Sequence, residues 1–507
     1  MSTESNNADT IFGHPKGLLV LFFTEMWERF SYYGMRGLFV LYLVANINEG
    51  GFGWTTVEAL SLYGTYTMMV YLMSIPGGIL ADKFVGQKKA VMIGGFLLVL
   101  GHGIMAIPGQ SYFFIAISLI VLGVGALKAN ISTMVGGLYK QGDIRRDKGF
   151  VIFYMGINLG SVLAGLIVGW VGQVYGWHYG FGLAGIGMLF GQIQFMAGQK
   201  YLKEVGNFIK PEVVQDDNSE GHIDRLLKAP LVLMLSAAIS IYGIYLGYSG
   251  FAAANWSYVL YGTLIVITGP ILGMGINIYR LELDSKERDR IIVLLVSFLI
   301  VIAFWGAFEQ AGGLMNLFAE NKTDKLIFGL WEAKASQFQS LNPAFIVIFG
   351  IVVANFWIQR RKSNKEESAI FKMSVGNIIM GLGFIVMFQA SKLAGPDGQV
   401  SYWWLVIAYL LHTIGELSSS PVALSFVTKL APVRYGSIMM GLYFAMTGLG
   451  NKVAGLLGES SAEHGETQVY AGIAIFSISF GLLLLVLLKK LKKLTHGAED
   501  IVLEGGH

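Results

Sequence analysis

The sequence lacks cysteine and carries little charge. None of its 507 residues is Cys, which excludes disulfide scaffolds, thiolate metal sites, iron–sulfur clusters and cysteine nucleophiles. Charged residues make up 14% of the chain, against about 25% in soluble proteins. The net charge of +3 provides no basic excess to neutralise a phosphate backbone. We therefore expect no nucleic-acid partner.

Apolar residues dominate what is present. The 54% of hydrophobic residues and the 66 glycines together make up about two-thirds of the chain, against about 45–50% in soluble proteins. Fourteen windows are long and apolar enough to cross a bilayer as helices, which takes about 20 residues each. The first window begins near Lys16, is longer than a signal-peptide core and has no cleavage site after it, so we assign it to the mature protein. The predicted fold is an all-α integral membrane protein.

A polar segment and an uncharged segment divide these spans into six, two and six. Segment 199–229 is the only long polar interruption, and segment 230–279 contains no Asp, Glu, Lys or Arg. We predict two six-helix bundles and a two-helix insertion. The predicted regions are an N-terminal tail (1–16), an N-terminal bundle (17–198), a linker (199–229), an inserted hairpin (230–279), a C-terminal bundle (280–488) and a C-terminal tail (489–507).

The basic residues lie mostly on one side of the predicted membrane. Of the 36 Lys and Arg residues, 28 fall in loops and tails on the side of the two termini, four fall on the other side, and four fall within spans. We call these the positive side and the opposite side. Because short cytoplasmic loops are rich in Lys and Arg, the positive side is predicted to be cytoplasmic, with both termini there. The predicted location is the inner or plasma membrane.

Charged residues within the spans fall into two layers when depth is counted along each helix. Ionisable groups at membrane depth are costly, so each needs a partner, a water-filled cavity or a function. The lower layer, nearer the positive side, contains Glu25, Glu28, Arg29, Lys128 and Glu416. An upper layer pairs Arg36 with Glu309 by depth, whereas Lys452 lies nearer the opposite side and is predicted to snorkel or cap a neighbour.

The lower layer has three carboxylates and two cations. If these groups share a cavity, at least one carboxylate lacks a full-charge partner, as uptake of a proton near neutral pH requires. The alternative is that they are static ion pairs that fix helix packing. It applies best to Glu25, Glu28 and Arg29, which share one helix face.

Six ordered motifs lie in or beside these spans. They are Glu25-Met-Trp-Glu28-Arg29-Phe30-Ser31-Tyr32-Tyr33-Gly34, the glycine-rich loop from Gly77 to Gly86, Phe153-Tyr154-Met-Gly-Ile157-Asn158-Leu-Gly160-Ser161, the run from Phe304-Trp305 to Glu309-Gln310, Leu341-Asn342-Pro343, and the run from Gly415-Glu416 to Ser420-Pro421. Together they resemble the proton-dependent oligopeptide transporters, a branch of the major facilitator superfamily. The resemblance implies the major facilitator fold and peptide transport.

The resemblance also implies roles for individual residues. Arg36 and Lys128 would receive the peptide carboxylate, while Asn158, Asn342 and Glu416 would hold the amino end and backbone. Glu309, the Glu25/Glu28 cluster with Arg29, and Lys128 would couple the proton, and Arg36 with Glu309 would form a gating pair. The remaining expected substrate contacts are Tyr32, Tyr33, Tyr71, Trp305, Ser420, Tyr443 and Phe444. The sequence departs from the family pattern at Ala129, where proline is usual, and at Tyr443, where tryptophan is common.

The leading hypothesis is therefore a proton-coupled symporter that imports di- and tripeptides by alternating access, driven by the proton gradient with no cofactor. An antiporter that exports drugs or metabolites could use the same scaffold. An enzyme is disfavoured because the sequence contains no metal-binding HExxH, no GxSxG and no phosphate loop. The expected partners are small peptides, protons and the lipid bilayer, and the expected state is a monomer.

Overall fold

The computed structural model of the protein describes residues 10–11, 13–140, 143, 145–208, 230–252, 265, 283–396, 398–432 and 436–499. Apart from two-residue strands, the regular structure of these residues is helical, so the predicted all-α class is confirmed. One compact unit contains the described residues up to 208, 296–429 and 436–492. A second unit contains 230–252, 265, 283–295, 430–432 and 493–499.

The N-terminal half of the chain contributes eight described helices. They are α1 (Lys16–Val44), α2 (Thr56–Leu72), α3 (Ser74–Leu80), α4 (Gln87–Met105), α5 (Gln110–Gly137), α6 (Arg145–Leu163), α7 (Trp170–Tyr175) and α8 (Trp177–Gly198). A π-helical turn, Ala164–Gly169, joins α6 to α7. The second unit contains α9 (Pro230–Ala252).

The C-terminal half contributes seven described helices. They are α10 (Ser285–Phe308), α11 (Leu314–Asn321), α12 (Leu341–Lys362), α13 (Ala369–Ala394), α14 (Trp403–Leu430), α15 (Gly436–His464) and α16 (Glu466–Leu494). A 3-10 helix, Ala335–Ser340, precedes α12. The strands are β1 (Thr10–Ile11), β2 (His14–Pro15), β3 (Thr323–Asp324), β4 (Leu326–Ile327), β5 (Trp331–Glu332) and β6 (Val400–Ser401), which pair as β1–β2, β3–β6 and β4–β5.

Eight helical segments among the described residues are long and apolar enough to cross a membrane. The predicted total of fourteen stays a prediction. Of the predicted hairpin 230–279, only 230–252 and 265 are among the described residues. The rest of the hairpin, most of the linker 199–229, and most of both tails lie outside the described residues.

In two of the predicted spans, 58–80 and 291–317, the α-helix is interrupted. The span predicted at 58–80 stops being one helix at Met73, because Pro76 cannot donate to the carbonyl four residues before it. The span predicted at 291–317 ends as an α-helix at Phe308 and becomes the 3-10 turn Glu309–Ala311, followed by two glycines of low helix propensity. The second interruption therefore lies at a predicted proton-coupling residue.

Candidate functional site: a charged cavity between the two halves

A cavity of about 470 Å³ lies between the N-terminal and C-terminal halves. This volume lies within the range of about 300–1,000 Å³ that is typical of small-molecule sites. Thirteen of the sixteen predicted site residues line it: Glu25, Arg29, Tyr33, Arg36, Tyr71, Lys128, Asn158, Trp305, Asn342, Glu416, Ser420, Tyr443 and Phe444. The other three, Tyr32, Glu28 and Glu309, are buried behind its wall.

The cavity extends toward the positive side. Its lining includes Ser132, five residues before the end of α5, and Leu424, six residues before the end of α14. At 1.5 Å per residue, both lie within about 9 Å of the helix ends on the positive side. The cavity thus comes close to the surface on the positive side.

Hydrogen bonds join the two halves on the opposite side of the cavity. They run from Asn316 Nδ2 to Gly37 O (3.0 Å), from Ser340 Oγ to Val162 O (3.0 Å), from Gln337 Nε2 to Leu166 O (3.2 Å) and from Ser336 Oγ to Gln173 Oε1 (2.6 Å). Several of these donors belong to the 3-10 helix that precedes α12. The structure is therefore closed toward the opposite side.

Arg29 forms ion pairs with both carboxylates of the cluster on α1, Glu25 and Glu28. Its Nε lies 2.9 Å from Glu25 Oε1 and 2.6 Å from Glu28 Oε2, and all three side chains are buried. The i,i+4 spacing of Glu25 and Arg29 on α1 is sufficient to produce the first of these contacts. Two of the three lower-layer carboxylates are thus paired with one cation.

Lys128 remains without a carboxylate at ion-pair distance among the described residues. Its ammonium instead lies 3.7 Å from the centroid of the Tyr71 ring, in cation–π geometry. Both side chains line the cavity. The three carboxylates of the lower layer are engaged by Arg29 and Asn342. A cation on the cavity wall is therefore available to an anionic ligand.

Glu416 on the other wall is held by the side chain of Asn342. Asn342 Nδ2 donates to Glu416 Oε2 (2.7 Å) and lies 3.1 Å from Thr413 Oγ1. Asn158, which was predicted to act with them, instead donates to the Tyr154 carbonyl of its own helix (2.9 Å).

Arg36 and Glu309 form an ion pair at the closed end of the cavity. Arg36 Nη2 lies 3.0 Å from Glu309 Oε2, and Tyr63 joins them. Arg36 Nε donates to Tyr63 Oη (2.8 Å), and the Tyr63 hydroxyl donates to the same oxygen, Glu309 Oε2 (2.8 Å). All three side chains are buried. A Cβ atom on Gly312 would lie 1.9 Å from Tyr63 Oη, so only glycine fits beside this triad.

Sequence reasoning missed Tyr63, and depth could have identified it. Tyr63 lies seven residues into α2, and Arg36 lies eight residues before the end of α1, so the two are level on adjacent helices. Depth was compared only for charged residues, so Tyr63 was not considered. Tyr154, Gln339 and Tyr409 are uncharged polar residues of the cavity lining that were not predicted as site residues.

Comparison with known proteins gives the family. The sequence model of the POT family matches residues 88–471. The chain belongs to the POT family. The recognition from six motifs is therefore confirmed, and the protein is a multi-pass membrane transporter of the POT family, with its helical, major-facilitator-type fold.

Similar POT proteins cover nearly the whole chain. The peptide transporter YePEPT of Yersinia enterocolitica subsp. palearctica is 38% identical over 473 residues, 90% of each protein. A di-/tripeptide transporter of Lactococcus lactis subsp. lactis is 35% identical over 503 residues, 97% of this chain and 99% of that protein. These relatives are named as transporters, which confirms that the chain is not an enzyme.

Solved POT structures share the fold. A crystal structure of a POT peptide transporter in complex with alafosfalin is 35% identical, with 96% of each chain covered and a TM-score of 0.80. A POT family transporter in complex with a thioalcohol-conjugated peptide is 30% identical, covers 95% of this chain and 98% of that one, and has a TM-score of 0.82.

Proposed function

We propose that this protein is a proton-coupled symporter that imports di- and tripeptides by alternating access. The observation that carries the proposal is the separation of charge across the cavity. Arg36 and Lys128 lie on the N-terminal half, and Glu416 lies on the C-terminal half. The relatives named as peptide and di-/tripeptide transporters support the substrate class.

A zwitterionic peptide is complementary to this arrangement. Its carboxylate would bind Lys128 and Arg36, and its ammonium group would bind Glu416, oriented by Asn342. The aromatic lining, including Tyr33, Trp305 and Phe444, would accept variable side chains between the two ends. Binding of one peptide thereby links the two halves.

The Arg36–Glu309 pair would couple the proton to this binding. In a buried site an ion pair holds two helices together, and protonation of Glu309 removes that attraction. Arg36 is then free for the peptide carboxylate, and the halves can separate on the opposite side. The Glu25/Glu28 cluster with Arg29 is a second place where the proton could bind.

The described state would be inward-facing. The positive side, which carries 28 of the 36 Lys and Arg residues, is assigned to the cytoplasm with both termini, in the inner or plasma membrane. The cavity approaches that side and is closed by hydrogen bonds on the other. The proton gradient would supply the energy with no cofactor, and the proposed unit is a monomer.

Transport into liposomes tests the proposal. Purified protein should accumulate labelled di- and tripeptides, but not tetrapeptides, only when an inward proton gradient is imposed. The same dipeptide with an amidated carboxyl end or an acetylated amino end should compete poorly, because each change removes one charge of the clamp. Accumulation without a gradient would contradict proton coupling. Gradient-driven loss of preloaded drugs, without peptide uptake, would instead indicate the antiporter.

A further inference from the structure

Lys452 is a buried cation whose role the transport mechanism leaves open. It lies on α15, and only 8% of the residue is exposed. Of the two outcomes that the sequence predicted, snorkelling or capping a neighbour, it does not snorkel toward solvent. Its Nζ instead donates to Thr65 Oγ1 (3.1 Å) and lies 3.4 Å from the Ser61 carbonyl oxygen, both on α2 of the other half. The lysine therefore ties the two halves together.

The contact between α2 and α15 around this lysine is a backbone contact. A Cβ atom on Gly64 would lie 2.7 Å from the Gly455 Cα atom, so neither position has room for a side chain. Asn451 Nδ2 adds a hydrogen bond to the Thr67 carbonyl (3.4 Å). Opening of the cavity to the opposite side has to part these two helices, and the Lys452 bonds to α2 would break.

Glu459 lies where it can receive Lys452 after such a separation. It is on α15 itself, seven residues further toward the opposite side, and its Oε1 is 3.7 Å from Lys452 Nζ. This oxygen is buried and accepts no hydrogen bond from any described residue. The lysine and its carboxylate are on the same helix, so they would move as one when the halves separate.

We propose that Lys452 is a gating residue that exchanges acceptors during transport. In the inward-facing state it donates to α2 and holds the opposite side closed. In the outward-facing state it turns to Glu459, so that its charge stays paired. The proposal rests on alternating access, and it adds a second polar lock beside the Arg36–Glu309 pair, because Ser61 and Thr65 flank Tyr63, the α2 residue that bonds both members of that pair.

Substitutions at the two positions are expected to have opposite effects. Lys452→Met removes two bonds to α2 in the closed state and one contact with Glu459 in the open state. The net loss of one hydrogen bond to a charged group in the closed state should raise the ratio of outward-facing to inward-facing protein about tenfold. Glu459→Gln removes the negative charge that Lys452 would contact in the open state. It should therefore lower the ratio of outward-facing to inward-facing protein. A ligand or contact shifts a conformational equilibrium only by the difference between its interaction free energies in the two states. A purely structural role would move both variants in one direction.

Distances between paired spin labels give the readout. The chain has no cysteine, so labels can be placed at will. Cysteines at the exposed residues Val57 and Glu463 report the opposite side, and cysteines at Lys140 and Thr428 report the positive side. In Lys452→Met the first distance should lengthen and the second should shorten. Lys452→Arg, which keeps the charge and donors, should restore the wild-type distribution.

Lys322→Met is the matched control. Lys322 is also near the opposite side, but it pairs with Glu466 (2.8 Å) within the C-terminal half, so its loss should leave both distances unchanged. Equal shifts in the Lys322 and Lys452 variants, or shifts of the same sign in Lys452→Met and Glu459→Gln, would overturn the proposal. The measurement needs no peptide or gradient, so it can succeed even where the liposome assay fails. If the wild type and every variant showed the same single distance for each label pair, no second conformation would be populated. Both the gate and alternating access would then be refuted.

Discussion

The ammonium of Lys128 rests on the face of the Tyr71 ring, 3.7 Å from its centroid, while the nearby acidic groups are engaged elsewhere. An aromatic face stabilises a cation without neutralising it, so Lys128 keeps its attraction for an anion. This relationship makes Lys128 the best candidate for binding the peptide carboxylate.

We expect Lys128→Ala to abolish gradient-driven peptide uptake into liposomes, because the carboxylate loses its unpaired cation. Tyr71→Phe should retain uptake, since the ring face remains, whereas Tyr71→Leu should raise KM about threefold to tenfold through loss of the cation–π contact. Wild-type accumulation by Lys128→Ala would show that the lysine has a structural role only.

Glu309→Gln should uncouple transport from the proton. Glutamine resembles the protonated acid and cannot form the ion pair with Arg36. A full reversal of a two-state population takes about 5.5 kcal/mol, which a proton and a peptide can share. We expect the variant to exchange labelled for unlabelled peptide across the membrane but not to concentrate it under a gradient.

Two other results would change this interpretation. Loss of exchange as well as accumulation would mean that Glu309 is needed for binding or folding. Normal accumulation would place the proton elsewhere, and Glu25 and Glu28 are the first residues to test.

Tyr63→Phe should weaken the same lock by a smaller amount. It removes the hydroxyl that receives a bond from Arg36 and donates one to Glu309, but it leaves the direct ion pair intact. We expect the outward-facing population to rise, by less than in Glu309→Gln, when measured by spin-label distances across the opposite side. A larger effect than that of Glu309→Gln would mean that Tyr63, and not the ion pair, holds the gate.

Composition predicted the membrane class. Counting residues along each span predicted that Arg36 and Glu309 lie at the same depth. Arg36 and Glu309 are far apart in sequence, but each helix rises by a fixed amount per residue, so their depths could be compared. The direction in which a side chain points around its helix is harder to predict. Tyr32 and Tyr33 are adjacent in the motif, yet only Tyr33 reaches the cavity. Lys452 illustrates the same limit, because its partners on α2 depend on how two halves pack.

Labelling of single cysteines tests the predicted orientation. Phe84 follows α3 on the positive side, and Leu330 lies between β4 and β5 on the opposite side; both are highly exposed. In intact cells, an impermeant thiol reagent should label Leu330→Cys but reach Phe84→Cys only after permeabilisation. Labelling of Phe84→Cys from outside would reverse the topology, and with it the direction of the proposed transport.

The segment between α12 and α13 contains a carboxylate that should make stability depend on pH. Glu366 accepts hydrogen bonds from the Ser368 backbone N–H (3.0 Å) and from Lys492 Nζ on α16 (3.0 Å). Partial burial alone would raise the pKa of Glu366, but these bonds outweigh it and lower that pKa to about 2. The pKa in the folded state is thus below the ordinary value of 4.5.

The sign of the effect follows from linkage. Because the folded protein binds this proton more weakly than the unfolded chain, the stabilisation is fully present above about pH 4.5 and is lost as the pH falls toward 2. Glu366→Gln should therefore lower the Tm of the detergent-solubilised protein at pH 7, and the difference from wild type should narrow steadily as the pH falls below 4.5. Glu463→Gln, at an exposed residue near the end of α15, is the matched control and should leave Tm unchanged throughout. A Tm difference for Glu366→Gln that stays constant from pH 7 to pH 3 would show that packing of the side chain, and not its charge, joins the segment to α16.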